Sequence, residues 1–180
     1  MFAQHKRKIA FLMPLLVFLG LSIFLLKGLG GDPNALPSAL IGQPLPAFRL
    51  PTLSGQPAEL TEKDFLGKPA LINVWATWCP TCVAEHPMLM QLAKAGVVLY
   101  GVNYRDEKAD AQRYLTQRGN PFQKNIMDTQ GQLSLDLGTY GTPETFVINA
   151  QGKILYRHVG EITEEVWQKT LKPLMDSTER

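Results

Sequence analysis

Four things are missing from this chain of 180 residues. No stretch is of low complexity. With 45% apolar and 19% charged residues, the composition is that of a globular protein long enough for one real core. No segment repeats, which leaves out a repeat array. No basic footprint marks the main part of the chain. Lys6, Arg7, Lys8 and Lys27 fall in the first 40 residues against Asp32 alone, and from Ile41 onward 14 Lys and Arg face 15 Asp and Glu. A nucleic-acid partner is therefore not expected. The last absence is a second cysteine pair. Cys79 and Cys82 are the only cysteines, so a structural zinc site built from two close ligand pairs lacks half its material.

What is present begins at the N-terminus. The basic stretch His5 to Lys8 precedes Ile9 to Leu26, 18 residues without a charge. As a helix this run spans about 27 Å, close to the hydrocarbon thickness of a bilayer. Pro14 and Gly20 are tolerable in such a helix. A cleavable signal would carry a shorter apolar region and a small-x-small site; here Lys27 follows directly, and GLG at 28–30 is a poor site. Residues 9–26 therefore predict a transmembrane anchor contacting the lipid bilayer. The basic flank puts residues 1–8 in the cytoplasm and the rest across the membrane, where disulfides persist. Residues 27–40, rich in Gly and Pro, read as a tether, and 41–180 as the folded domain.

The domain reads as an α/β sandwich, a mixed central sheet with helices on both faces. Residues 47–53 and 57–60 predict two short strands around a turn, and 61–68 a short helical turn with Thr61 as its cap. The apolar runs 69–76 and 96–104 predict buried strands. A helix is expected from Cys79 to about Lys94 and another over 107–119, ending at a Gly that suits a C-cap. A short strand over 125–127 and a short helix over 131–138 follow. Residues 145–149 and 153–159 predict a hairpin, and a helix starting at Thr163 closes the chain.

The cysteine pair sits where a buried strand gives way to a helix. A bridge closing so short a loop removes little unfolded-state entropy, about 2 kcal/mol at best, which makes it a poor staple. A metal would need more ligands. His86 completes C-x2-C-x3-H, and His158 stands on a distant strand; copper held by the thiol pair and one His is the metal alternative. The redox reading has local physics behind it. A thiolate at a helix start faces unpaired N–H groups and the positive end of the helix dipole. C-x-x-C within a β-α-β order is also the pattern of redox motifs.

VWATWCPTC, Val74 to Cys82, resembles the active-site signature of the thioredoxin superfamily. Trp75 and Trp78 match its two tryptophans, Pro87 the proline of its first long helix, and Thr142–Pro143 the loop that carries a cis-proline. The anchor, IGQPLPAFRL (41–50), WCPTC, GVNYRD (101–106) and GTPETF (141–146) narrow the resemblance to the membrane-anchored cytochrome c maturation thioredoxins, the CcmG or DsbE family. It covers about residues 41–175.

The resemblance implies a thioredoxin-like fold with an N-terminal β extension and a periplasmic, inner-membrane protein. The implied activity is reductive: it reduces the C-x-x-C disulfide of apocytochrome c, directly or through a maturation factor. A membrane dithiol-transfer protein would recharge it, and no haem, metal or flavin would be required. A general periplasmic reductase and a thiol-based copper chaperone are the alternatives. Cys79 would be the exposed nucleophile and Cys82 the shielded resolving thiol. Trp78, Thr142 and Pro143 would contact the substrate, the Thr142 backbone pairing with it as in strand addition. Asn73 stands where ordinary thioredoxins carry a buried acid. Glu85, one turn beyond Cys82 on the same helix face, is expected to substitute for that acid; its plainer alternative is a solvated helix carboxylate. Glu144 is expected to approach the cysteines from the facing loop, the two carboxylates opposing thiolate charge.

Overall fold

A computed structural model of the chain describes residues 13–15, 17–25 and 40–178. Residues 1–8, nearly all of the tether and parts of the 9–26 run lie outside the described residues. Residues 13–15 and 17–25 are helical, with nearly all of their side chains exposed. Among the described residues no helix is long and apolar enough to cross a membrane, so the expected transmembrane helix is not shown. The chain divides into two units between Leu36 and Pro37, and the second carries the site.

The second unit opens with two short antiparallel strands, β1 (Arg49–Pro51) and β2 (Glu59–Thr61). Both are shorter than the sequence suggests, because the chain between them makes its own turn. Thr52 Oγ1 donates to the Pro57 carbonyl at 2.6 Å and accepts from Gly55 N at 2.9 Å. A 3₁₀ turn, Glu62–Phe65, follows; the Asp64 carboxylate accepts from both Thr61 N and Thr61 Oγ1.

Then come β3 (Ala70–Trp75), α1 (Pro80–Lys94), β4 (Leu99–Tyr104), α2 (Lys108–Arg118), β5 (Lys124–Asp128), α3 (Gln132–Asp136), β6 (Glu144–Ile148) and β7 (Ile154–Val159). The closing helix, α4, runs through Glu164–Val166, a π-helical stretch Trp167–Leu171 and Lys172–Thr178. The Thr163 side chain caps it by accepting from Val166 N at 3.2 Å. The π-helical stretch has no counterpart in the sequence reading.

The sheet order is β5-β4-β3-β6-β7. β3, β4 and β5 run parallel, while β6 is antiparallel to β3 and to β7. The mixed sheet expected from the sequence is thus present, with β3 at its centre and all six of its residues buried.

Strand alternation divides the core. Leu71 and Trp75 join Leu89, Leu92, Leu115, Phe122 and Leu171 on the face covered by α1, α2 and α4. Ala70, Ile72 and Val74 join Phe65, Tyr100, Val102, Leu133 and Phe146 on the other. Asn73 shares the parity of Leu71 and Trp75, so its polar side chain enters the face that α1 covers. The parallel strands β3 and β4 bring their C-terminal ends to the same pole, which is where the cysteines stand.

Candidate active site

Cys79 is the N-cap residue of α1, and Pro80 takes the first helical position, where its missing N–H costs nothing. The cap interaction is made by sulfur: Cys82 N points at Cys79 Sγ at 3.1 Å. The two cysteines form a disulfide with their Cα atoms 5.3 Å apart. Their exposures are 3% and 4%. The expectation of an exposed first and a shielded second cysteine therefore does not hold for the disulfide form. The loop before β6 is the reason. Its Thr142 carbonyl oxygen lies 3.4 Å from Cys79 Sγ, and the following Thr142–Pro143 bond is cis, as the resemblance implied. Trp78, the neighbour of Cys79, is 56% exposed.

Asp106, the last residue of the GVNYRD stretch and not among the expected catalytic residues, holds the approach to Cys79. The buried Asp106 carboxylate accepts from Thr77 N at 2.6 Å, Thr77 Oγ1 at 2.7 Å, Asn103 Nδ2 at 3.0 Å and Glu107 N at 2.9 Å. Trp78 Nε1 donates to the Arg105 carbonyl at 3.0 Å, and Arg105 takes a left-handed backbone with φ 43°. The turn after β4 thus grips both residues that precede Cys79. The available signal was Asp106 lying just past the end of a strand parallel to β3.

Glu85 is 2% exposed, which removes the solvated-carboxylate alternative. Its Oε1 accepts from Asn73 Nδ2 at 2.8 Å and its Oε2 from Ile162 N at 2.9 Å. Burial pushes its pKa up to about 7 against the pull of those two donors, with Glu161 adding to the rise. Asn73 Nδ2 also donates to Thr145 Oγ1 at 3.0 Å, while Asn73 Oδ1 has no partner.

Glu144 is buried but not free. Its Oε1 accepts from Tyr140 N at 2.9 Å and Gly141 N at 3.3 Å. Its Oε2 meets Arg157 Nε and Nη2, each at 2.6 Å. Both oxygens of the carboxylate expected to oppose thiolate charge are thus engaged, and a buried guanidinium stands against it. Arg157, which no sequence motif marks, also stacks on the exposed Tyr140 ring, 4.0 Å from its centroid.

The histidines of the copper alternative have other contacts. His86 Nε2 lies 3.2 Å from the Gly119 carbonyl, with its ring edge-on to Tyr114. His158 Nε2 lies 3.0 Å from the Glu161 carbonyl. Among the described residues there is no group of three His, Cys, Asp or Glu that could hold a metal. A cavity of about 700 Å³ opens between the β1–β2 hairpin, α2 and β5, and none of its lining residues belongs to the cysteine site.

The redoxin family model matches residues 40–172. The chain is 52% identical over 163 residues to the thiol:disulfide interchange protein DsbE of Pseudomonas aeruginosa, covering 91% of each chain. It is 47% identical over 178 residues to the DsbE of Escherichia coli, covering 95% of each. Among solved structures, it resembles a putative DsbE from Chlorobium tepidum with a TM-score of 0.63 and 26% identity, over 80% of this chain and 99% of that one. A thio-disulfide isomerase from Thermus thermophilus gives a TM-score of 0.61 at 28% identity, over 74% and 95%.

Proposed function

This chain belongs to the redoxin family, and within it to the DsbE-type thiol:disulfide interchange proteins, and we propose that it serves there as a reductant. Its activity is thiol–disulfide oxidoreduction. The proposed client is the C-x-x-C disulfide of apocytochrome c, reached directly or through a maturation factor.

In the reduced protein the Cys79 thiolate attacks one sulfur of the client disulfide. A Cys79–client bond forms, and the other client sulfur leaves as a thiolate that takes up a proton. Cys82, deprotonated in turn, attacks Cys79 Sγ, closes the Cys79–Cys82 bond and expels the second client thiolate, which is also protonated. Two electrons and two protons pass from the protein dithiol to the client disulfide. Glu85, one turn beyond Cys82 and titrating near 7, is suited to accept the Cys82 proton at neutral pH.

The reducing direction rests on what opposes a thiolate here, against the Cys82 amide at 3.1 Å from Cys79 Sγ that favours one. A carbonyl oxygen stands against Cys79 Sγ, and the only acid on the Cys82 face of α1 is buried and half-ionised near neutrality. Strongly oxidising relatives are oxidising because their reduced form is stabilised; here that stabilisation is opposed.

The proposed setting is the periplasmic side of the inner membrane, with residues 9–26 as the anchor, residues 1–8 in the cytoplasm, and a membrane dithiol-transfer protein restoring the reduced form. Supporting the anchor are the charge-free run, its basic flank and the exposure of Phe18, Leu19 and Phe24 on the described helical residues. Tethering beside membrane partners raises effective concentration.

Replacing Cys82 by Ala in the full chain leaves the mixed disulfide unresolved. The expected product in cells is a Cys79-linked adduct with an apocytochrome c or a haem-maturation factor. Adducts confined to unrelated proteins would contradict the client.

A further inference from the structure

The Glu144–Arg157 pair lies outside the exchange steps, yet it bears directly on the loop that touches Cys79. Glu144 begins β6 and Arg157 lies on the neighbouring β7, opposite Phe146 in the register. Glu144 Oε1 gathers the Tyr140 and Gly141 amides, while Oε2 accepts from Arg157 Nε and pairs with the guanidinium charge. The same guanidinium supports the Tyr140 ring from below. The far end of the loop is tied as well, since Gly160 N donates to the Pro143 carbonyl at 3.0 Å. Between these ties sits Thr142, whose carbonyl meets Cys79 Sγ at 3.4 Å.

We propose that Arg157 is a positioning residue for thiol–disulfide exchange: acting through Glu144, it holds the Thr142 carbonyl against Cys79 and keeps the Glu144 charge from reaching the sulfur. It performs two separable tasks. Holding the carbonyl in place favours the Cys79 thiol over its thiolate, because only the thiol can donate to that oxygen. Neutralising Glu144 acts in the opposite sense, because a bare carboxylate would disfavour the thiolate further. The charged and titratable groups on the elements around the pair are Glu85 and His86 on α1, Arg105 and Asp106 after β4, His158 and Glu161 at and just after the end of β7, and Glu144 with Arg157 on β6 and β7. Only the last two change in the test below.

The inference rests on Cys79 and Cys82 being a working redox pair. That premise is checked first on the unaltered full chain: protein disulfide plus two glutathione thiols should equilibrate with protein dithiol plus glutathione disulfide. Failure to exchange would overturn the functional reading itself. Given exchange, the Cys79 thiol is titrated in the reduced protein by its thiolate absorbance. In Arg157→Met, Glu144 keeps the Tyr140 and Gly141 amides, so the loop stays tied while its carboxylate is bare, and the thiol should titrate at higher pH than in the unaltered protein. The double variant Arg157→Met/Glu144→Leu removes both charges and frees the loop. Its thiol should titrate at lower pH, with an ionisation constant raised about threefold. Because the double variant buries no unpaired charge, it remains a test even where the single variant fails to fold. A double variant that titrates like the unaltered protein, or two variants that move in the same direction, would overturn the proposal.

Discussion

Asn73 donates its side-chain amide to Glu85 across 2.8 Å in the middle of the protein, so the strand position that holds an acid in ordinary thioredoxins here holds the donor that receives an acid from the helix. The buried carboxylate stands on α1 rather than β3, one turn beyond Cys82.

This placement makes stability depend on pH. Glu85 titrates near 7 in the folded protein against 4.5 for the free side chain, so between those values the folded state binds the extra proton. Its contribution is complete below about pH 4.5 and is lost as pH rises through about 7, roughly 3 kcal/mol in all. Glu85→Gln should flatten this part of the profile and leave the protein more stable than the unaltered chain at alkaline pH. The amide can be accommodated, because Asn73 Oδ1 lacks a partner and an amide flip would offer it to the new donor. Urea unfolding at a series of pH values measures this; parallel profiles for the two proteins would contradict it.

Asp106 should matter more than its place outside the exchange steps suggests. Asp106→Ala strips an acceptor from four donors and leaves buried N–H groups unpaired. A loss of about 3 kcal/mol in denaturant unfolding is expected. Asp106→Asn should lose less, because one amide oxygen can still receive Thr77. Equal stability of the Ala variant and the unaltered chain would show that the turn does not hold the approach to Cys79.

Trp78 should separate binding from stability. Being 56% exposed, its truncation to Ala should cost under about 1 kcal/mol in unfolding. An aromatic anchor beside the nucleophile is a typical energetic centre of a contact surface. KM for a peptide carrying an internal C-x-x-C disulfide should therefore rise about tenfold while kcat changes little. A fall in kcat at unchanged KM would move Trp78 from substrate contact to positioning Cys79.

The fold was legible where local pattern decides it. The apolar runs of β3 and β4, the Pro80 helix start and the β6–β7 hairpin each stand within a few residues of their expected bounds. Glu85 was singled out through the resemblance and its helix spacing from Cys82, but its hydrogen bond to Asn73 was not foreseen. What stayed hidden depends on contacts between segments far apart in sequence. Arg157 and Glu144 meet only through the antiparallel β6–β7 register, and Asp106 meets Thr77 only because β3 and β4 end at the same pole. The burial of Cys79 came from the Thr142 loop, which approaches from 63 residues away.

The central claim is that this site runs in the reducing direction, and the equilibrium potential of the Cys79–Cys82 pair against glutathione buffers tests it most directly. The carbonyl against Cys79 and the buried Glu85 beside Cys82 predict a value more negative than about −200 mV, in the range of reducing oxidoreductases. A value near about −120 mV, that of a strongly disulfide-forming enzyme, would contradict it.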